Sequence, residues 1–156
     1  MYDKKFMIEA IALSRQCLET GLGGPFGAVV VKDGEIIGRG RNMVTGNNDP
    51  TAHAEISAIR DACKNLKSFQ LTGCEIYTSC EPCPMCLGAI YWARPSKVYY
   101  AASQKDATKA GFDDSFIYKE FKLLPVERAI PAMQFDREEA VAIFDEWIQW
   151  NDKINY

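Results

Sequence analysis

What this sequence lacks narrows its possibilities quickly. It contains no apolar run approaching the ~18 residues of a membrane-spanning helix. Its opening stretch, MYDKKFMIEA, is charged and amphipathic and offers no hydrophobic signal-peptide core. Membrane association is therefore not expected, and a cytoplasmic setting is. There is no surplus of basic residues: 18 Lys and Arg stand against 21 Asp and Glu, a formal net charge of −3 with a pI near 5.2. A mildly acidic chain lacks the electrostatic footprint of a protein that grips phosphate backbones. Internal repeats, low-complexity tracts and linkers are missing too, and 156 residues suit one domain, for which roughly 150 is an ordinary size. Histidine occurs once.

Cysteine, by contrast, is abundant, at positions 17, 63, 74, 80, 83 and 86. A chain of this length with an ordinary apolar content does not need disulfide staples. Three of the six crowd into TSCEPCPMC, too close together to bridge one another readily, and in a reducing compartment such a cluster points to metal or redox chemistry. Cys17 falls in step with Phe6, Ala10 and Leu13 on one helical face and reads as a packing residue, as do Cys63 and Cys74.

Periodicity sketches the architecture. Residues 3–20 read as a helix with Asp3 as N-cap and Gly21 as its stop. FGAVVVKDGEIIGRG gives two strands around the tight-turn dipeptide Asp33-Gly34, and the unbroken Ala28–Val31 run suits a strand covered on both faces. A polar loop, TGNNDPT, leads to a helix over about 52–65. CEIYTS is a third strand that runs into a Pro-bracketed turn and the helix CLGAIYWA, and KVYYAA is a fourth. A short helix, the loop AGFDDSFIY and a fifth strand within 120–130 are expected next. DREEAVAIFDEWIQWNDK closes the chain as a helix with Ala140, Ile143, Phe144, Trp147 and Ile148 on one face, Trp147 packing it down. Alternating strands and helices predict an α/β layer sandwich.

The chemistry gathers around the single histidine. His53 stands two residues before Glu55 at the start of a predicted helix, and Cys83 and Cys86 share one side of the first turn of another. Pro84 is well placed to start that second helix, whose positive dipole end favours thiolate over thiol. Two thiolates and one imidazole are borderline-soft ligands that suit Zn²⁺, and three protein ligands leave a coordination position open, as catalytic zinc sites do. Glu55 can then take a proton from water and return it to a substrate nitrogen. Cys80-x-x-Cys83 has ligand spacing as well, so a closed site of one histidine and three cysteines is the structural alternative, and a thioredoxin-type redox pair is another. The redox pair explains neither His53 nor Glu55, and Cys80 belongs to the strand side of the Glu81-Pro82 turn.

His53-Ala54-Glu55 followed by Pro82-Cys83-Pro84-Met85-Cys86 resembles the zinc-dependent nucleobase deaminases, whose signature is H-x-E followed by P-C-x-x-C. GGPFGAVVVKDG, NDPTAHAEISAIR, YTSCEPCPMCLGAIYWARP and AGFDDSFIYKE are similar to the bacterial-type guanine deaminases within that superfamily. The resemblance implies a cytidine-deaminase-like three-layer α/β/α sandwich around a mixed five-stranded sheet. It implies one catalytic zinc held by His53, Cys83 and Cys86, with Glu55 and Asp114 as catalytic carboxylates. It further implies a homodimer in which a C-terminal helix and tail, residues about 136–156, are exchanged between subunits. The expected reaction is hydrolytic deamination of guanine, a small-molecule purine, to xanthine and ammonia. Substrate contacts are expected from Asn42, whose amide can donate and accept, from Phe26 against the purine plane, from Asp114 facing substrate N–H groups, and from Tyr156 as part of a lid. Deamination of cytosine or another small base uses the same chemistry and is the first alternative. A tRNA adenosine deaminase is the second, but residues 136–156 carry six acids (Asp136, Glu138, Glu139, Asp145, Glu146, Asp152) against two bases (Arg137, Lys153), a balance that repels phosphates.

Overall fold

A computed structural model describes all residues, Met1–Tyr156. The chain forms two compact units, Met1–Asp114 and Ser115–Tyr156. In the first, helix α1 (Lys4–Thr20) begins where Asp3 accepts the Lys5 N–H and ends where Gly21 turns left-handed (φ 66°). Strands β1 (Gly27–Lys32) and β2 (Glu35–Arg41) form a hairpin, with Asp33 (φ 51°) and Gly34 (φ 81°) both at positive φ as its two-residue turn requires. Helix α2 (Val44–Asn47) is a single turn inside the segment expected to be a plain loop, halted by Asn48 in the left-handed region. Helix α3 (Ala54–Leu66), strand β3 (Glu75–Cys80), helix α4 (Pro84–Ala93), strand β4 (Lys97–Ala102) and helix α5 (Gln104–Lys109) complete the unit.

The sheet order is β2-β1-β3-β4, mixed, with β1 antiparallel to both neighbours and β3 parallel to β4. The four strands correct the expected five. The segment 120–130 instead makes a turn and a 3₁₀ turn at Pro125–Glu127, where Pro125 has no N–H to give a ladder. Ala28–Val31 is buried on both faces, as its unbroken apolar run predicts. One face packs Val29, Val31 and Tyr77 against Phe6, Met7, Ala10 and Leu13 of α1. The other packs Ala28, Val30 and Ile76 against Ala54, Ala58 and Ala62 of α3 and Ile90 and Ala93 of α4. Helix, sheet and helix make the three-layer α/β/α arrangement.

Helix α3 lies unusually close to β2, and two glycines make that possible. A methyl group on Gly38 would sit 2.6 Å from the Ala58 carbonyl oxygen, and one on Gly40 would fall on the carbonyl oxygen of Ala54. With only alanines on the facing stripe, backbone meets backbone.

The second unit holds helix α6 (Ser115–Glu120), which begins inside the stretch expected to be a loop, and helix α7 (Arg137–Gln149). None of its residues is buried. The apolar face predicted for α7 exists as a stripe, but Ile143, Phe144 and Ile148 are each at least 60% exposed, and Trp147 packs edge-on against Trp150 (5.3 Å). No helix is long and apolar enough to cross a membrane.

Candidate metal centre and active site

The predicted ligands sit at the N-termini of two helices. His53 is the N-cap of α3 and Cys83 the N-cap of α4, with Pro84 in its first turn as expected. Cys86, one turn on, donates its backbone N–H to the Cys83 sulfur at 3.5 Å. His53 Nδ1 lies 3.5 Å from the Sγ of Cys83 and 3.5 Å from that of Cys86, and the three ligand atoms lie within 4.8 Å of one another. Zinc–sulfur and zinc–nitrogen bonds of about 2.3 and 2.1 Å, opened to the tetrahedral angle, put nitrogen and sulfur about 3.6 Å apart. The donor set therefore fits a tetrahedral Zn²⁺ with one position to spare. The hydrogen bond with Cys86, then the one with His53, hold the Cys83 thiol down at about 4, against the opposing effect of burial. The contact with Cys83, then burial, push Cys86 up, and the Cys83 contact raises His53. Three donors compete for protons over a few ångströms, and a divalent cation resolves that competition.

Cys80 ends β3 and stays out of this cluster. Its thiol donates to the Ser103 carbonyl oxygen at 3.7 Å, and burial, followed by the Glu55 charge, pushes it up to about 11. Cys17 is buried, as its helical phase predicts, with its sulfur 3.6 Å from the Phe26 and Asn42 carbonyl oxygens.

Glu55 occupies the first turn of α3, where its charge complements the helix dipole, and it is 6% exposed. Burial raises its affinity for a proton. Its Oε1 accepts the Thr78 hydroxyl at 3.3 Å and its Oε2 lies 3.4 Å from the Cys86 sulfur.

A cavity of about 400 Å³ opens onto this group, lined by His53, Glu55 and Cys83 together with Asn42, Phe26 and Asp114. Phe26 meets Phe112 edge-on at 4.9 Å, an aromatic wall whose second ring the sequence did not announce. Asn42 is 5% exposed, and its side-chain oxygen accepts the Gly24 N–H at 3.2 Å and the Val44 N–H at 3.1 Å. That use of the oxygen refines the expectation that the amide both donates and accepts: its NH₂ is the face left for a ligand. Asp114 accepts a hydrogen bond from Gln104 Nε2, and the Gln104 backbone N–H is held by Glu81 Oε2 at 2.9 Å. Gln104 was missed in the sequence, although Ser103-x-x-Asp106 is a legible capping box that fixes where its helix begins. Tyr156 belongs to the second unit and is 69% exposed.

Residues 1–102 match the cytidine and deoxycytidylate deaminase zinc-binding region. The chain belongs to that family. Among its relatives, the guanine deaminase of Bacillus subtilis (strain 168) is 55% identical over 156 residues, covering 100% of both chains. An X-ray structure of guanine deaminase from Bacillus subtilis superimposes with a TM-score of 0.96, at 55% identity, over 100% of this chain and 99% of that one. The tRNA-specific adenosine deaminase of Aquifex aeolicus (strain VF5) is 43% identical over 105 residues, 67% of this chain and 69% of its own. Within this deaminase family the helix-tip cluster and the buried glutamate carry the H-x-E and P-C-x-x-C signature.

Proposed function

We propose that this chain is a zinc-dependent guanine deaminase that converts guanine and water to xanthine and ammonia. The observation that carries the reading is the full-length likeness to the Bacillus subtilis guanine deaminase, where the likeness to the tRNA deaminase covers two-thirds of the chain.

His53, Cys83 and Cys86 hold the metal. When bound, zinc supplies Lewis acidity that lowers the pKa of water toward 7. Glu55 takes one proton as water adds to C2 of guanine and gives it to the adjacent ring nitrogen. It then takes the proton of the new C2 hydroxyl and passes it to the amine, so that the C2–N bond breaks, ammonia leaves and the C2 carbonyl of xanthine forms. Carboxylate proton transfer of this kind is worth roughly 10²- to 10⁴-fold. Glu55 suits the task because burial holds its proton affinity above that of an ordinary carboxylate. Asp114 offers acceptor oxygens to guanine N–H groups, with Gln104 engaging one of them. Asn42 presents its NH₂ to an acceptor on the base, and Phe26, braced by Phe112, covers the purine face.

The protein acts in the cytoplasm as a homodimer in which the C-terminal helix and tail are exchanged. Supporting this are six unbridged cysteines and a second unit whose apolar residues stand open. An exposed apolar surface of such extent is otherwise a liability. Tyr156 then closes over the partner's cavity and excludes bulk water.

The deciding experiment incubates the zinc-loaded protein separately with guanine, cytosine, adenine and a tRNA anticodon stem and measures ammonia. Guanine should dominate; turnover confined to cytosine or to the RNA would overturn the reading.

A further inference from the structure

The buried polar residues of this chain are Asn42, Glu55 and Thr78. Asn42 and Glu55 line the cavity. Thr78 does not, and it is 1% exposed. It sits in the middle of β3, paired with Ala28 on one side and Tyr100 on the other. Side chains alternate along a strand, so Thr78 shares a face with Ile76, and that face belongs to the apolar cluster of Ala28, Val30, Ala54 and Ala58. A valine of the same shape would serve that packing, and would spare the cost of burying a hydroxyl. What the hydroxyl does touch is Glu55 Oε1, at 3.3 Å.

We infer that Thr78 is a positioning residue for Glu55, acting from behind the carboxylate and touching neither substrate nor metal; the inference rests on the deaminase reading above. A carboxylate has two equivalent oxygens, and a proton shuttle needs one of them held still while the other works. Thr78 donates its hydroxyl proton to Oε1 and fixes the plane of the group. Oε2 lies against the Cys86 sulfur at 3.4 Å. Oε1 is therefore the oxygen anchored by the sheet, and Oε2 is the one turned toward the His53, Cys83 and Cys86 cluster. The sheet, through one hydroxyl, thus orients a catalytic group that belongs to a helix.

The test compares Thr78→Val, which keeps the shape and removes the donor, with Thr78→Ser, which keeps the donor. In the zinc-loaded protein, Thr78→Val should lower kcat for guanine about 10- to 100-fold, the range for a hydrogen bond to a charged group. KM and zinc content should stay within twofold, and Thr78→Ser should restore most of kcat. In a Glu55→Gln background, Thr78→Val should cost nothing further. In the metal-free protein, isotope-edited infrared spectroscopy should show the Glu55 carboxyl band shifted by Thr78→Val and not by Thr78→Ser. An unshifted band, an unchanged kcat, or a loss that persists undiminished without Glu55 would overturn the role. Failure of the wild-type protein to release ammonia from guanine would instead overturn the functional reading, and the infrared result stands apart from it.

Discussion

Met1–Asp114 and Ser115–Tyr156 follow the same patterning rules and end in opposite states. In the first unit the amphipathic helix α1 sinks Phe6, Met7, Ala10, Leu13 and Cys17, and the sheet between helices is covered on both sides. In the second, α7 carries an equally regular stripe, yet Ile143 and Phe144 remain 63% and 67% exposed. Periodicity says that a face is apolar; it does not say what covers it. The first unit carries its own cover and the candidate metal cluster of His53, Cys83 and Cys86. The second leaves its apolar stripe open, and in the function proposed above a second copy of this chain would cover it.

The largest effect is expected at Glu55, in the first unit. Glu55→Gln should lower turnover about 10²- to 10⁴-fold and leave zinc in place, because the carboxylate is not among the ligands. Cys83→Ser or Cys86→Ser should lose the metal, whereas Cys80→Ser should keep it; metal analysis beside a kinetic assay separates the three. Zinc lost from Glu55→Gln would refute the assignment.

Deleting residues 153–156 tests the second unit alone. Zinc content and Tm should hold, while kcat/KM for guanine falls sharply, because the site loses the group that closes it and excludes water. Mixing the deleted chain with a Glu55→Ala chain should recover activity, since a hybrid dimer joins an intact metal site to an intact tail. Full activity in the deleted protein would end the lid, and hybrids without rescue would confine each tail to its own subunit.

Stability should divide along the same line. Ile76→Ala, in the first unit's core, should cost about 2–5 kcal/mol by denaturant titration. Phe144→Ala should leave the unfolding of dilute, monomeric protein nearly unchanged and weaken self-association measured by sedimentation.

Asp114→Asn should cost about 1–3 kcal/mol in kcat/KM for guanine by replacing an acceptor oxygen with a donor, and less for a base with fewer N–H groups. The smallest effect is a rate difference in the metal-free protein. With its thiol held at about 4, Cys83 is thiolate at every pH above that value, so alkylation followed by mass spectrometry from pH 5 to 8 should label it throughout. Cys80, pushed up to about 11, stays a thiol across that window and should resist.

Most of the site was legible because its signals are local. H-x-E and P-C-P-M-C fix residue types at short spacings, and a capping position orients each. β1, β4 and α1 were legible for a similar reason, their patterns being long and uninterrupted. The failures share a cause as well. The fifth strand expected in 120–130 ignored what Pro125 does to a ladder. Gln104 and Phe112 reach the cavity only because the chain returns there after β4, a contact that no window of sequence contains. Thr78 lies in a strand that the sequence predicts, but an inward-facing hydroxyl is visible only once the sheet is built.

Gly38 and Gly40 hold the widest consequence. Neither has chemistry to offer, and both precede the candidate metal ligands in the chain. Yet the tip of α3, with His53 and Glu55 on it, stands where it does because two strand positions add no carbon between sheet and helix. A mutational survey scored by metal content should therefore find loss-of-zinc alleles at these glycines, although neither offers a ligand atom. The ruler that sets the height of helix α3 above the sheet is a pair of missing methyl groups.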